Sequence, residues 1–251
     1  MSSATAAAAP STRAATRTRQ RSGFYVGLSA FMIAIVVVGF WATYFGPLLR
    51  GQIARPAIIQ AHGLIFVGWM ALLMAQVVLA SRGRIQLHRA VGRYGIAYGW
   101  VVIAIGLVAG PAASVIHVRA GEWTADRGAG FLLVTFGDMV LFGSCFAAAV
   151  AYRARPEIHK RLMVAATVAL LFAAVGRMTF ITSPPLAGLV WLSPLLIGMA
   201  HDWITRRRVH PVYIVTTIGL FIGATRILFA ESEAWLRLGR PLLDVFMKLG
   251  S

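Results

Sequence analysis

Seven long apolar runs constrain the fold of this chain more than any other feature of its sequence. A helix that crosses a lipid bilayer needs about 20 mostly apolar residues, which is the length of these runs. They are too long for strands, and they do not alternate between apolar and polar residues. We therefore predict an all-α bundle of seven transmembrane helices, at residues 24–49, 57–80, 94–118, 128–152, 162–183, 186–204 and 211–230.

Basic residues are distributed unevenly between these runs. Fifteen Lys and Arg residues lie in the N-terminal tail and in every second loop, and seven lie on the opposite side. Cytoplasmic loops of membrane proteins carry such an excess. We therefore predict a multi-pass protein of the bacterial inner membrane, with a cytoplasmic N-terminus and an external C-terminus. The clusters also account for the net charge of +16, so we expect a lipid bilayer and no nucleic acid as partner.

The two ends of the chain differ from the apolar domain at residues 23–231. Residues 1–22 are rich in Arg, Ser and Ala. This composition predicts a disordered basic cytoplasmic tail, with a transit peptide as the alternative. Residues 232–251 form an amphipathic pattern, interrupted by Gly239–Arg240–Pro241, that is typical of a segment lying along the outer membrane interface. The single cysteine, Cys145, leaves no disulfide framework and no Cys-based zinc site.

Glycines share one face of the third span at helical spacing: Gly95, Gly99, Gly106 and Gly110. Such a face lets a neighbouring helix approach closely. We predict tight packing there and place the third span at the centre of the bundle. Gly219 and Gly223 repeat the pattern in the seventh span.

Four ionisable residues are predicted to lie in the outer half of the membrane: His62, Asp138, Arg177 and Arg226. We place them about 3 to 10 Å from the middle of their spans. Charged groups at this depth are costly, so they are candidates for a cofactor-binding site. Asp138 and Arg177 lie on consecutive antiparallel spans and are predicted to pair. Arg226 either reaches the outer surface or faces a cavity for an anion, and His62 is a candidate ligand of a metal or haem.

A repeated motif begins at Arg82 (RGRIQLHRA) and again at Arg153 (RARPEIHKR). Both copies read Arg-x-Arg-x-x-x-His and lie where the chain re-enters the membrane from the cytoplasm. Their arginines are suited to lipid phosphates and to setting topology. As an alternative, His88 and His159 combine with His201 and the adjacent Asp202 in a zinc or non-haem iron site.

The stretches QAHGLIFVGWMALLMAQVVLASRGRIQLHRAVGRYG and RPEIHKRLMVAATVALLFAAVGRMTF resemble a family of bacterial polytopic membrane proteins of unestablished activity. That family has a His in an early span, a Leu-His-Arg-x-x-Gly loop and a His-Lys-Arg-Leu-Met loop. The matching positions are His62, His88, Arg89, Gly92, His159, Lys160, Arg161 and Arg177. More loosely, the chain is similar to membrane b-type cytochromes and to small proteins that assist haem–copper oxidase assembly, which implies a b-type haem as cofactor.

Three functions remain open at this point, because the chain has no H-E-x-x-H, Walker A or G-x-S-x-G motif. The first is a redox or haem-handling role, in which His62 is an axial ligand or a hydrogen-bond partner, Arg177 and Arg226 hold propionates, and Asp138 restrains Arg177. The second is a non-enzymatic carrier or binding protein for a small anionic or amphipathic molecule. The third is a metal-dependent membrane hydrolase that uses the three histidines of the metal-site hypothesis.

Overall fold

The structure, a computed structural model, describes residues 12–52 and 56–249 and is all-helical over these residues. A π-helical turn, Trp41–Phe45, follows α1, and a 3₁₀ turn, Thr225–Phe229, follows α8. The α-helices are α1 (Thr12–Phe40), α2 (Gly46–Leu49), α3 (Ala57–Ser81), α4 (Ile85–Arg119), α5 (Ala125–Ala151), α6 (Pro156–Val175), α7 (Pro184–Arg206), α8 (Pro211–Ala224) and α9 (Glu233–Leu249).

Seven helical segments in the described part of the chain are long and apolar enough to cross a membrane. They confirm the predicted fold class and are consistent with an integral membrane protein. The segments are Gly23–Leu49, Ala57–Ser81, Ile85–Arg119, Ala125–Ala151, Pro156–Val175, Pro184–Arg206 and Pro211–Phe229. Of the predicted N-terminal tail, residues 1–11 lie outside the described residues, and the chain is helical from Thr12.

Two spans differ from the predicted bounds by six residues or more at one end or both, and both differences affect the site. The third span, α4, begins at Ile85 instead of residue 94, because the more polar residues 85–93, which precede its apolar part, are also helical. The fifth span, α6, begins at Pro156 instead of residue 162, since proline suits the first turn of a helix, and it ends at Val175 instead of residue 183. His88 and His159 are thus each the fourth residue of a helix, and Arg177 lies beyond the end of α6.

The loops define two ends of the bundle. We call the end with residues 82–84, 152–155 and 207–210 the basic end, and the end with residues 120–124 and 176–183 the far end. Gly83 at the basic end and Gly121 at the far end have positive φ angles of 71° and 70°, which favour glycine. Both loops are therefore tight turns between antiparallel helices.

The central helix is α6, which packs against α1, α5, α7 and α8. Its alanines allow this, because small side chains let several helices approach one axis. The prediction that the third span is central is therefore wrong. Three glycines of the predicted face, Gly99, Gly106 and Gly110 of α4, lie against Phe146, Met139 and Thr135 of α5, whereas Gly95 lies nearest Leu72 of α3. In α8, Gly223 lies against Leu141, but Gly219 has no neighbour among the described residues within 4 Å of a Cβ, so the predicted tight packing is absent there.

Helix α9 is amphipathic and packs across α5 and α4. It buries Leu236 and Leu243, and the Trp235 Nε1–H donates to the Ala129 carbonyl at 2.8 Å. Arg240 donates to both carboxylate oxygens of Asp126, at 2.6 and 2.9 Å. These contacts fasten the C-terminal segment to the far end of the bundle, and the interruption predicted at 239–241 is absent from the described helix.

Candidate functional site

The two histidines of the repeated motif lie side by side at the basic end. The ring centres of His88 and His159 are 6.5 Å apart, and their planes are inclined at 79°. The Nδ1 atom of His88 is 3.2 Å from the Gln76 carbonyl, and that of His159 is 2.8 Å from the Ala149 carbonyl. Both motif copies therefore hold their histidine against the end of the preceding helix.

This bonding decides which ring nitrogen can bind a ligand. A carbonyl oxygen only accepts, so each histidine donates through Nδ1–H, and in a neutral ring the lone pair is then on Nε2. The side-chain nitrogen of Gln76, beside His88, is buried without a hydrogen-bond partner. Exposed arginines of the motif surround the two histidines in sequence: Arg82, Arg84, Arg89, Arg153 and Arg155.

His201 does not join this pair. Its ring stacks on Phe24, with centres 3.7 Å apart, and its Nδ1 is buried without a partner. Among the described residues, no group of three His, Cys, Asp or Glu side chains could hold a metal ion. The three histidines proposed for a metal site therefore do not converge, because His201 lies against α1 and Asp202 binds an arginine.

That arginine is Arg161, and the two residues form a buried ion pair between α6 and α7. Their side chains are 0% and 1% exposed, and Arg161 donates to both oxygens of Asp202 at 3.0 and 2.5 Å. Arg161 also donates to the Glu157 carboxylate at 2.8 Å, and the same carboxylate accepts from Arg206 at 2.5 Å. The Arg161 guanidinium lies 5.3 Å from the ring centre of Tyr213 on α8. Sequence reasoning counted Arg161 and Arg206 among the basic residues that set topology, placed Asp202 in the alternative metal site, and missed the network.

His210 closes this network between α7 and α8. Its backbone N–H donates to Asp202 at 3.3 Å, and its ring Nδ1 accepts from the Val212 N–H at 3.3 Å. Burial lowers the pKa of His210, and the charge of Arg161 lowers it further. The neutral ring that results can accept the bond that caps the start of α8.

Asp138 pairs with Arg226 and not with Arg177, so the predicted pairing is wrong. Asp138 is buried on α5, and its carboxylate accepts from the Arg226 guanidinium. Arg226 also donates to the carbonyls of Val134 at 3.1 Å and Gly223 at 2.6 Å. Groups of the protein therefore accept the hydrogen bonds of Arg226, so this arginine does not need a bound anion as its partner.

Arg177 lies in a different place because α6 ends before it. Its side chain is exposed, donates to the Ala173 carbonyl at 2.7 Å and lies 4.7 Å from the ring centre of Phe40. Phe40 immediately precedes the π-helical turn, whose Tyr44 ring lies against Gly63, the neighbour of His62. The four residues predicted as one layer therefore divide into Asp138–Arg226 on one side and His62 with Arg177 on the other.

His62 lies beside the π-helical turn that follows α1. Its ring centre is 4.2 Å from that of Phe66, and its Nδ1 is buried without a hydrogen-bond partner. The Tyr44 ring lies over the next residue, Gly63. A Cβ at this position would lie 3.3 Å from the ring. No histidine faces His62 among the described residues, so the predicted role as one of two axial ligands has no partner here.

Comparison of the chain with protein-family models, with curated proteins and with solved structures gives no match.

Proposed function

We propose that this protein binds haem in the membrane and has a redox or haem-handling role, with His88 and His159 as the iron ligands. The observation that carries the proposal is the 6.5 Å between their ring centres. Two imidazoles on opposite sides of one metal ion have ring centres roughly 6 Å apart, because each metal–nitrogen bond is about 2 Å long.

The hydrogen bonds of the two rings support ligation. Histidines that bind metals commonly donate their other N–H to a carbonyl, which orients the ring and makes the ligating nitrogen more basic. His88 and His159 both have such a bond, to Gln76 and Ala149. The matched arrangement argues against chance, since it arises twice from two copies of one motif.

The surrounding charge favours haem over a bare metal ion. The motif arginines would repel a metal cation, whereas they suit the two propionate carboxylates of haem. The buried Gln76 nitrogen adds a hydrogen-bond donor that has no acceptor within the described protein. When bound, the iron would supply one-electron chemistry, and the chain would supply the ligands, the orientation and the countercharges.

The test is an absorption spectrum of the detergent-purified protein, from cells supplied with haem, before and after reduction with dithionite. We expect a Soret band and a sharp reduced α-band, both lost in His88→Ala and in His159→Ala. His62→Ala and His201→Ala are the matched controls, and we expect both to keep the bands. A His159→Met variant should keep haem with a shifted spectrum, because Met is itself an axial ligand.

Several outcomes would contradict the proposal. A colourless protein would exclude intrinsic haem, and bands that persist in both His88→Ala and His159→Ala would exclude this pair as the ligands. Metal analysis of the same preparations separates the remaining case. If the preparation contains one transition-metal ion per chain and no porphyrin, the protein has a metal centre and not a haem.

A further inference from the structure

A second cluster of polar groups lies near the far end of the bundle, remote in sequence from the histidine pair. Three different elements contribute to it: Tyr44 from the π-helical turn, His62 from α3 and Arg177 from the turn after α6. The Tyr44 ring covers Gly63, the neighbour of His62, and the Arg177 guanidinium lies 4.7 Å from the ring centre of Phe40, the residue before the π-helical turn. The fold thus brings a hydroxyl, an imidazole and a guanidinium together.

Two of these groups have hydrogen-bonding capacity that the described chain does not use. His62 Nδ1 is buried without a partner. The Tyr44 hydroxyl likewise makes no hydrogen bond to any described residue, and its ring packs edge to face on Phe45 and covers Gly63. A buried polar atom without a hydrogen-bond partner costs about 1–3 kcal/mol of free energy, so a ligand that hydrogen-bonds to it would remove this cost.

The backbone here is also unusual. The α1 helix widens into a π-helical turn over Trp41–Phe45 before it ends in α2. Such turns are rare and occur frequently at functional sites, because the extra residue redirects side chains. In this protein the turn places Tyr44 over α3, and Gly63 provides the space for its ring.

The surroundings indicate what kind of molecule could bind. Arg177 supplies positive charge, and Tyr44 and His62 can donate hydrogen bonds, which together suit oxygen atoms of an acid. The neighbouring side chains Trp41, Leu64 and Phe180 are large, apolar and exposed. Trp41 and Leu64 lie on segments that can cross a membrane, where such side chains face lipid, and Phe180 lies in the loop after α6. A ligand would therefore combine an acidic head with an apolar tail.

We propose that Tyr44, His62 and Arg177 bind the acidic head, a carboxylate or a phosphate, of an amphipathic molecule whose apolar part lies in the bilayer. This site does not depend on haem, because it uses none of the residues that would hold the iron. The head has two possible sources, a free fatty acid or an anionic phospholipid, and both present the same oxygen chemistry.

Quenching of tryptophan fluorescence by brominated chains tests the proposal in nanodiscs of phosphatidylcholine. Trp41 lies in the π-helical turn, so the signal that disappears in Trp41→Phe reports the site. One series adds dibromostearate and a second adds acyl-brominated phosphatidylglycerol. We expect saturable quenching in at least one series, and the series that saturates at lower probe concentration identifies the source.

Variants assign the binding to these residues. We expect Arg177→Gln to weaken binding at least tenfold, and Tyr44→Phe and His62→Ala at least threefold each, while Arg177→Lys keeps most of it. The control is Arg237→Gln, which removes an exposed arginine of α9 and should bind like the parent protein. Gel filtration confirms that each variant is folded.

Non-saturable quenching in both series would overturn the proposal, and so would equal weakening by Arg177→Gln and Arg237→Gln. Repeating the titration with His88→Ala separates this site from the haem proposal. Unchanged affinity in that variant is expected, whatever its absorption spectrum shows.

Discussion

Asp138 and Arg226 illustrate what single residues do in this fold. A charge inside the bilayer is costly unless it is paired, and here the pair joins α5 to the turn after α8. Gly137 makes the pairing possible, because a Cβ at this position would overlap the Arg226 guanidinium. The carbonyls of Val134 and Gly223 satisfy further N–H groups of the arginine. The pair therefore stabilises helix packing, which leaves the ligand chemistry to other residues.

The partner of Asp138 can be identified with a double-mutant cycle. We expect Asp138→Asn or Arg226→Gln alone to lower the free energy of unfolding by about 3–5 kcal/mol, because each leaves an unpaired buried group. The double variant should lose less than the sum, by about 0.5–3 kcal/mol. Unfolding by SDS in detergent micelles measures these values. Asp138→Asn with Arg177→Gln is the control and should be additive, whereas coupling in that pair instead would contradict the structure.

At the scale of whole elements, the first turns of α4 and α6 carry most of the polar chemistry at the basic end. The α6 helix presents His159 toward His88, and Arg161 toward Asp202 of α7. The Arg161 guanidinium uses its planar fork to reach both Asp202 oxygens and Glu157 together. Lysine has no such fork, so exchange of the two basic residues is not conservative here.

The network at the start of α6 predicts the effect of replacing arginine by lysine. Arg161→Lys should lower the free energy of unfolding by about 1–3 kcal/mol, because one ammonium cannot replace the hydrogen bonds to two carboxylates. Arg206→Lys is the matched control, with an expected loss below about 1 kcal/mol, since its side chain is 24% exposed. Thermal unfolding in detergent compares the two variants. Equal losses would mean that burial of Arg161 does not matter.

At the scale of the whole molecule, the seven candidate spans of the described residues form one bundle with chemically different ends. The repeated motif, the buried ion network and the histidine pair lie at the basic end. The π-helical turn, Arg177 and the docked α9 lie toward the far end. The two proposed sites are therefore near opposite ends of the bundle. Which of the two ends faces the cytoplasm stays a prediction from the distribution of Lys and Arg.

That orientation is tested with single cysteines in a Cys145→Ser background. Ala120 lies in the α4–α5 loop at the far end, and Ala154 in the α5–α6 loop at the basic end, and both are exposed. We expect a membrane-impermeant maleimide to label Ala120→Cys in intact cells, and Ala154→Cys only after permeabilisation. The reverse pattern would invert the predicted topology. Full denaturation provides the control for total reactive thiol.

The number, type and approximate place of the spans follow from the sequence alone, because bilayer thickness sets a length that any apolar run either meets or does not. The same holds for the glycine face of α4, since helical spacing is a local property. The sequence predicts helix ends less well, because apolar content does not indicate polar first turns such as the one that contains His88.

Only the tertiary structure decided which side chains meet. Consecutive spans predict that Arg177 pairs with Asp138, yet α6 ends two residues before Arg177, whose guanidinium lies over the Phe40 ring, and Asp138 pairs with Arg226. The sequence shows that the motif around His88 recurs around His159, but the 6.5 Å between the two ring centres depends on how two helical hairpins pack. Lengths and periods are local and are encoded in short stretches, whereas pairings depend on the depth and rotation of every helix in the bundle.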